Sequence, residues 1–494
     1  MNHNIKRISS VRVLKFIAES KMRMSFQPNK KAVGKWIRQE ISDLGPAFIK
    51  LGQFLSTRND ILGKDIASEL ELLQDEITAV PFADLIPILN LSFKDDYLNI
   101  FSYIEPECLA SASIGQVHKG YLKGNSNPVA IKIHKPFIAE KIRADIDVLK
   151  NILSLFTFTG NPRANEFNSI IKDYERFLEA ELDFRKEMTH MMRFKKIVKD
   201  VDNSTIKIPA VSSQLSTQNV LIMEYVPSIK INDLKKLEEN GISPKKVATN
   251  LINIFLFQII KKGYVHCDPH PGNIGVLSDG TIVLYDFGNV VEFSQEFKSK
   301  INQLMVSLYQ KDVEEFVDLL VQLDILYVKD NMEVIEIKAF FGYFFKYLET
   351  LDLDTLKFSV IQNDLQGKFQ TNFRVNQDFL SLFRVFSLLD GTFSYLDNNF
   401  NYIDAIAPYT DELMNNPEFF DYRAKKDIQK LQSYPRLLQT TDSNILRLQQ
   451  KTNNINKDFQ KLQIFMAIVL IVEDTQRFAI LLLLLPFYLW NNRR

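Results

Sequence analysis

The interval between Asn273 and Asp286 constrains the fold of this chain more than any other stretch. Ile274-Gly275-Val276-Leu277 and Thr281-Ile282-Val283-Leu284-Tyr285 are short apolar runs joined by Ser278-Asp279-Gly280. Asp-Gly between two such runs is a hairpin signal, because glycine accepts the positive φ of a tight turn. A hairpin returns the chain to where it left, so Asn273 and Asp286 end side by side. Immediately upstream stands His266-Cys267-Asp268-Pro269-His270-Pro271-Gly272-Asn273, and Asp286-Phe287-Gly288 closes the block. An H-x-D-x-x-x-x-N spacing followed by D-F-G supplies the residue types that phosphoryl transfer requires. One Asp (Asp268) orients the attacking hydroxyl or accepts its proton, while Asn273 and Asp286 hold the Mg²⁺ that bridges the phosphates.

Such chemistry needs an ATP-gripping segment earlier in the chain. Pro128-Val129-Ala130-Ile131-Lys132-Ile133 matches a V-A-I-K strand, whose Lys pairs with the α- and β-phosphates. One strand earlier a G-x-G-x-x-G loop is expected and is not there. Ala110-Ser111-Ala112-Ser113-Ile114-Gly115 takes its place, with a single glycine. Ala and Ser allow close backbone approach to phosphate but lack glycine's freedom at positive φ, so a stiffer phosphate loop is expected. Met223-Glu224-Tyr225-Val226-Pro227 reads as a strand leading to a hinge that contacts adenine through backbone groups, with Glu224 in it. Asn168–Val198, free of Pro and Gly, reads as one helix carrying Glu181 and Glu187. On one helix these carboxylates point about 120° apart and cannot both face one ammonium. Glu187 is the favoured partner of Lys132.

Four blocks together resemble the UbiB-type atypical kinases, a family tied to ubiquinone and isoprenoid-quinone lipid metabolism. They are Lys50-Leu51-Gly52-Gln53, like the K-x-G-Q signature, with Ser56-Thr57-Arg58 and Asp60; the Ala-rich loop through Val117; Glu181-Leu182-Asp183-Phe184 with Glu187, like an E-x-D segment; and the H-x-D-P-H-P-G-N form of His266 to Asn273. The blocks span roughly residues 45 to 290. Departures are Asn59 where the family often has Pro, Ser111 within the alanine run, and Asn289 after the D-F-G. The resemblance implies an N-terminal extension that folds over the active site and blocks the groove for a peptide. ATP hydrolysis or small-molecule phosphorylation is then expected rather than protein phosphorylation. It also implies that Lys50 and Gln53 face the nucleotide site, with Glu181 and Asp183 as partners of Lys50.

With 494 residues and 46% hydrophobic content, the chain has material for more than one core. Lys plus Arg and Asp plus Glu both number 60, so no net field recruits nucleic acid. The first 38 residues are rich in Lys and Arg with only Glu19 as an acid, a pattern for contact with an anionic membrane surface, for an organelle presequence or for a solvated tail. Cys108 and Cys267 are the two cysteines, so a reducing compartment is expected, and Cys267 reads as a small filler in the catalytic loop. Near the C-terminus, Ile464–Val472 and Phe478–Trp490 are apolar but interrupted by Glu473, Asp474 and Arg477. Neither reaches the ~20 residues of a membrane span, so two short helices dipping into one leaflet, or packing against a partner, are expected.

The fold class expected is α+β, a bilobal protein-kinase-like fold with helical N-terminal and C-terminal extensions. Its segments are 1–95 (helical, with K-x-G-Q), 96–227 (N-lobe with inserted helices), 228–460 (helical C-lobe and extension) and 461–494 (membrane-associating). The cofactors expected are ATP and Mg²⁺. The partners expected are lipid or quinone-pathway components, a membrane surface and a second copy in a homodimer. The location expected is the reducing face of a bacterial inner membrane or an organelle membrane. The alternative functions are a protein Ser/Thr kinase and a nucleotide-binding scaffold without significant turnover.

Overall fold

Hydrophobic periodicity accounts for most of the first 94 residues. In α2 (Lys30–Leu44) the buried residues Val33, Ile37, Ile41 and Leu44 recur at three- and four-residue spacing, one stripe of a helix. Asn29 caps that helix by accepting from the Ala32 amide. Gly45, at φ +107°, then turns the chain, and Pro46 opens α3 (Pro46–Ser56) at the position where proline costs a helix nothing. The computed structural model describes residues 10–56, 62, 64–73, 79–94, 96–158, 164–199, 205–326, 331–350, 377–397, 400, 402–417, 419, 420, 422–426 and 428. The apolar C-terminal runs and Arg58 and Asp60 lie outside these. Among the described residues, no helix is long and apolar enough to cross a membrane.

The chain forms two compact units, Met1–Ile231 with Pro271–Val290, and Asn232–His270 with Val291–Arg494. In the first unit, α1 (Ser10–Phe26), α2, α3 and α4 (Lys64–Glu71) share an apolar cluster with α6 (Ile138–Phe158) and α7 (Ala164–Glu181). Tyr174 of α7 is fully buried there, and its hydroxyl donates to the Ala47 carbonyl at the start of α3. α5 (Phe82–Phe93) covers one face of an antiparallel sheet of order β1-β2-β3-β5 (Phe101–Ser111, Gly115–Leu122, Pro128–His134, Val220–Glu224). Val129, Ile131 and Ile133 alternate along β3 into that face, packing with Leu85 and Leu89. The period of two leaves Lys132 on the other face.

A second sheet of the same unit has the order β4-β9-β8-β6 (Ile206–Lys207, Ile282–Leu284, Ile274–Val276, Ile229–Lys230). β8 and β9 form the expected hairpin, with Ile274 opposite Leu284 and Gly280 at φ +86° in the turn. The expected single helix over 168–198 is two. α7 ends at Glu181, and Asp183, extended at φ −134°, caps α8 (Phe184–Val198) by accepting from the Arg185 amide. An Asp side chain competes for backbone donors in this way, so it favours a helix start over a helix interior.

The second unit is helical around β7 (Tyr264–His266), with α9 (Leu234–Glu239), α10 (Pro244–Leu256), α11 (Gln295–Tyr309), α12 (Val313–Gln322), α13 (Asn331–Thr350), α14 (Gln377–Leu396) and α15 (Tyr402–Met414). The helical run that leads to β7 is α-helical over Pro244–Leu256, and Phe257–Lys262 continue it as π-helical turns. Phe316 meets Phe341 and Phe345 edge to face and all three are buried, an ordinary aromatic core.

Candidate nucleotide and metal site

In the first unit the chemistry converges on Lys132. Its ammonium lies 2.9 Å from both carboxylate oxygens of Glu187 and 2.9 Å from Oδ2 of Asp286. Each partner is delivered by a different element: Lys132 by β3, Glu187 by the first turn of α8, Asp286 by the end of the hairpin. The helix break at Asp183 matters here, because it frees α8 to aim Glu187 independently of Glu181. Phe287 ties the same elements together. Its ring packs on Phe194 of α8 at 4.9 Å, and its amide lies 3.4 Å from Glu187 Oε1.

One ammonium between two carboxylates fixes the charges. Burial works against the charge of Lys132, but Asp286 and Glu187 outweigh it and hold the ammonium firmly protonated. Burial likewise opposes charge on Asp286, and Lys132 and the Gly288 amide overcome it, keeping its carboxyl well below the usual range. Glu187 yields: burial pushes it up to about 7 against the pull of Lys132. Its side chain is only 5% exposed.

The loop expected to hold phosphate closes as a tight turn between β1 and β2. The Ala112 amide donates to the Gly115 carbonyl at 2.8 Å, with Ala110 paired to Val117 and Ser111 to Gln116. A side chain at Gly115 would meet the Ile133 carbonyl at 2.9 Å, so the one glycine stands where close packing demands it. The hydroxyls of Ser111 and Ser113 are buried and have no hydrogen-bond partner among the described residues. Buried hydroxyls are costly unless bonded, and phosphate oxygens are acceptors that fit them.

Lys50 of α3 lies 3.3 Å from Glu181, and its charge reaches Asp286. Gln53 is engaged elsewhere, its amide donating to the Leu73 carbonyl at 3.3 Å. Asp183 is held by Arg185 at 2.7 Å besides capping α8. Glu224, at the hinge, spends its carboxylate on Lys207 (2.6 Å) and the Ala210 amide (3.1 Å).

Asn273 and Asp286 are brought together by the hairpin, since the Tyr285 amide donates to the Asn273 carbonyl at 3.0 Å. No group of three or more His, Cys, Asp and Glu side chains gathers as a metal cage among the described residues. Mg²⁺ is commonly held by one or two protein oxygens plus phosphates and water, so the pair suits it as the donor set of a shared site.

In the second unit, Asp268 accepts from Arg384 of α14 at 3.0 Å. Its own amide donates to His266 Nδ1 at 3.3 Å, and the His266 amide donates to buried Gln258 at 2.9 Å. Cys267 is buried and burial pushes its thiol up to about 12, which makes it a filler and no nucleophile. Arg384 was not legible in the sequence: it stands 116 residues beyond Asp268, with no local motif around it.

A family model described as the ABC1 atypical kinase-like domain matches residues 72–320, half of the chain. This chain belongs to the ABC1 atypical kinase-like family. The chloroplastic protein Activity of BC1 Complex Kinase 7 of Arabidopsis thaliana is 29% identical over 78% of this chain, and the chain spans 55% of that protein. An uncharacterised Synechocystis protein is 30% identical over 80% of this chain and 67% of its own length. A probable protein kinase UbiB of Photorhabdus laumondii is 29% identical over 58% of this chain and 54% of its own. The UbiB-type resemblance read from the four blocks therefore holds. The solved complex of Rv3197 with erythromycin, from Mycobacterium tuberculosis, superposes with a TM-score of 0.50 at 20% identity, covering 79% of this chain and 95% of that one. The ABC1 chain thus has the α+β, protein-kinase-like fold, and Arg384 falls beyond the matched domain.

Proposed function

We propose that this ABC1 protein is a membrane-associated, Mg²⁺-ATP-dependent ATPase or small-molecule kinase serving isoprenoid-quinone lipid synthesis or handling. The observation that carries the nucleotide part is the Lys132–Glu187–Asp286 cluster, together with buried serine hydroxyls in the β1–β2 loop that have no hydrogen-bond partner among the described residues. In this reading Lys132 takes the α- and β-phosphates, and Glu187 keeps its ammonium in place. Ser111, Ser113 and the backbone of Ala110 and Ala112 line the phosphates, and the strand end at Glu224 presents backbone groups to adenine. Asn273 and Asp286 hold Mg²⁺, which when bound neutralises charge on the β- and γ-phosphates. Asp268 orients the attacking hydroxyl and takes its proton as oxygen bonds to the γ-phosphorus and ADP leaves.

Lys50 on Glu181 supports the ATPase or small-molecule reading over a protein kinase, because α3 brings a cation to the same cluster. The quinone-lipid setting rests on the family and on the UbiB relative. The membrane part rests on the basic N-terminal segment and the apolar C-terminal runs.

The test is ADP release by purified protein with Mg²⁺ and ATP, with and without anionic liposomes, beside Asp286→Asn. Turnover that rises with liposomes and disappears in the variant is expected. Equal turnover in the variant overturns the assignment of Asp286, and phosphate appearing on an added protein substrate favours the protein-kinase alternative.

A further inference from the structure

Tyr285, the residue before Asp286, makes contacts that the proposed chemistry does not use. Its amide donates to the Asn273 carbonyl at 3.0 Å, so its backbone sits between the two candidate metal ligands. Its hydroxyl donates to the Val226 carbonyl at 2.9 Å, on the hinge that follows β5. Ser228 Oγ lies 2.6 Å from the same hydroxyl. A phenol has one proton, so with that proton on Val226 the serine must be the donor to the tyrosine oxygen. Burial raises the tyrosine above its ordinary value against the opposing pull of the Ser228 contact.

The surroundings are shaped for this arrangement. Gly275 of β8 faces the pair, and a side chain there would stand 2.0 Å from Ser228 Oγ and 3.0 Å from the tyrosine ring. β6 then fixes the far end of the hinge to β8, with Ile229 opposite Val276 and Lys230 opposite Gly275. One aromatic side chain therefore spans from the hinge to the residues that flank the metal pair, and every contact lies within one compact unit.

We infer that Tyr285 is a positioning residue that sets the distance between the base-reading hinge and the Asn273–Asp286 pair, and so selects ligands that span both. This rests on the Mg²⁺-ATP reading above. A ligand that engages two subsites gains from their spacing, because binding at one end raises the effective concentration at the other. A ligand that engages only one end gains nothing. Loss of the tyrosine hydroxyl therefore weakens Mg²⁺-ATP and spares its separate halves.

Three titrations on the full chain test this: Mg²⁺-ATP, adenosine, and Mg²⁺-tripolyphosphate, each with wild type, Tyr285→Phe and Ser228→Ala. For Tyr285→Phe the expected result is a Kd for Mg²⁺-ATP raised about five-fold, the size of one lost hydrogen bond. Adenosine and tripolyphosphate are expected to change by less than about two-fold. Ser228→Ala leaves the Val226 bond but frees the hydroxyl to turn, so a smaller rise with the same selectivity is expected; it also carries the test if Tyr285→Phe fails to fold. Equal weakening of adenosine and Mg²⁺-ATP, or no weakening of Mg²⁺-ATP in either variant, overturns the inference. No binding of Mg²⁺-ATP by the wild type overturns instead the nucleotide reading on which it rests.

Discussion

Lys132 lies 2.9 Å from each carboxylate oxygen of Glu187, 55 residues further along the chain. The pair also takes in Asp286 at 2.9 Å, so a single ammonium offsets two carboxylates, Glu187 buried and Asp286 partly exposed. Removing one member of such a cluster leaves charge without compensation, which costs more than the pair itself contributes.

Replacing Lys132 by Met keeps the length and apolar stem of the side chain and deletes the charge. A loss of about 3 kcal/mol in unfolding free energy at pH 7 is expected from the uncompensated carboxylates. Urea denaturation measures it. A variant as stable as the wild type contradicts the charge accounting.

Glu187 gives the site a pH dependence whose sign follows from its shift. Its ordinary value of 4.5 is raised to about 7 by burial, so its stabilising contribution is fully present below 4.5 and is lost as pH rises through about 7. Asp286, shifted down by Lys132, acts only below its ordinary 3.8, outside that window. Glu187→Gln copies the protonated form. Between pH 4.5 and 7.5 the wild type is expected to lose about 3 kcal/mol relative to this variant. Parallel stability curves contradict it.

The second charged contact concerns rate. Arg384 fixes one oxygen of Asp268, so Arg384→Gln is expected to lower kcat of ATP turnover about ten-fold or more while leaving KM for ATP within about two-fold. Arg384→Lys restores part of kcat, since a single ammonium cannot reproduce the guanidinium's geometry. A raised KM at unchanged kcat contradicts a positioning role.

Gly52, the glycine of K-x-G-Q, is set by packing. A methyl group there would stand 2.3 Å from Leu73 Cδ1 and 3.3 Å from Ile41. Overpacking costs about 1–3 kcal/mol, and alanine recovers up to ~1 kcal/mol of helix propensity. Gly52→Ala is expected to destabilise by about 1 kcal/mol. A stabilised variant shows that Leu73 moves aside freely.

Much of the fold was legible because its signals are local. The hairpin announces itself through Asp279-Gly280 between apolar runs, and residues 1–95 are expected to be helical from the sequence as a segment, without the bounds of α2 and α3. The split at Asp183 was missed because a capping Asp and a helix-interior Asp look alike until the φ of the residue is known. Arg384 and Tyr285 were missed for different reasons. Arg384 reaches Asp268 only through tertiary packing of α14, whereas Tyr285 stood next to a recognised motif and its partners, Val226 and Ser228, are far off in sequence.

The most direct test of the nucleotide site is the binding of ATP measured against Mg²⁺ concentration in wild type and Asp286→Asn. Saturable ATP binding that tightens with Mg²⁺ in the wild type, and loses that dependence in the variant, is the expected result. Binding whose response to Mg²⁺ is the same in both proteins contradicts a metal held at Asp286, and with it the account of the site.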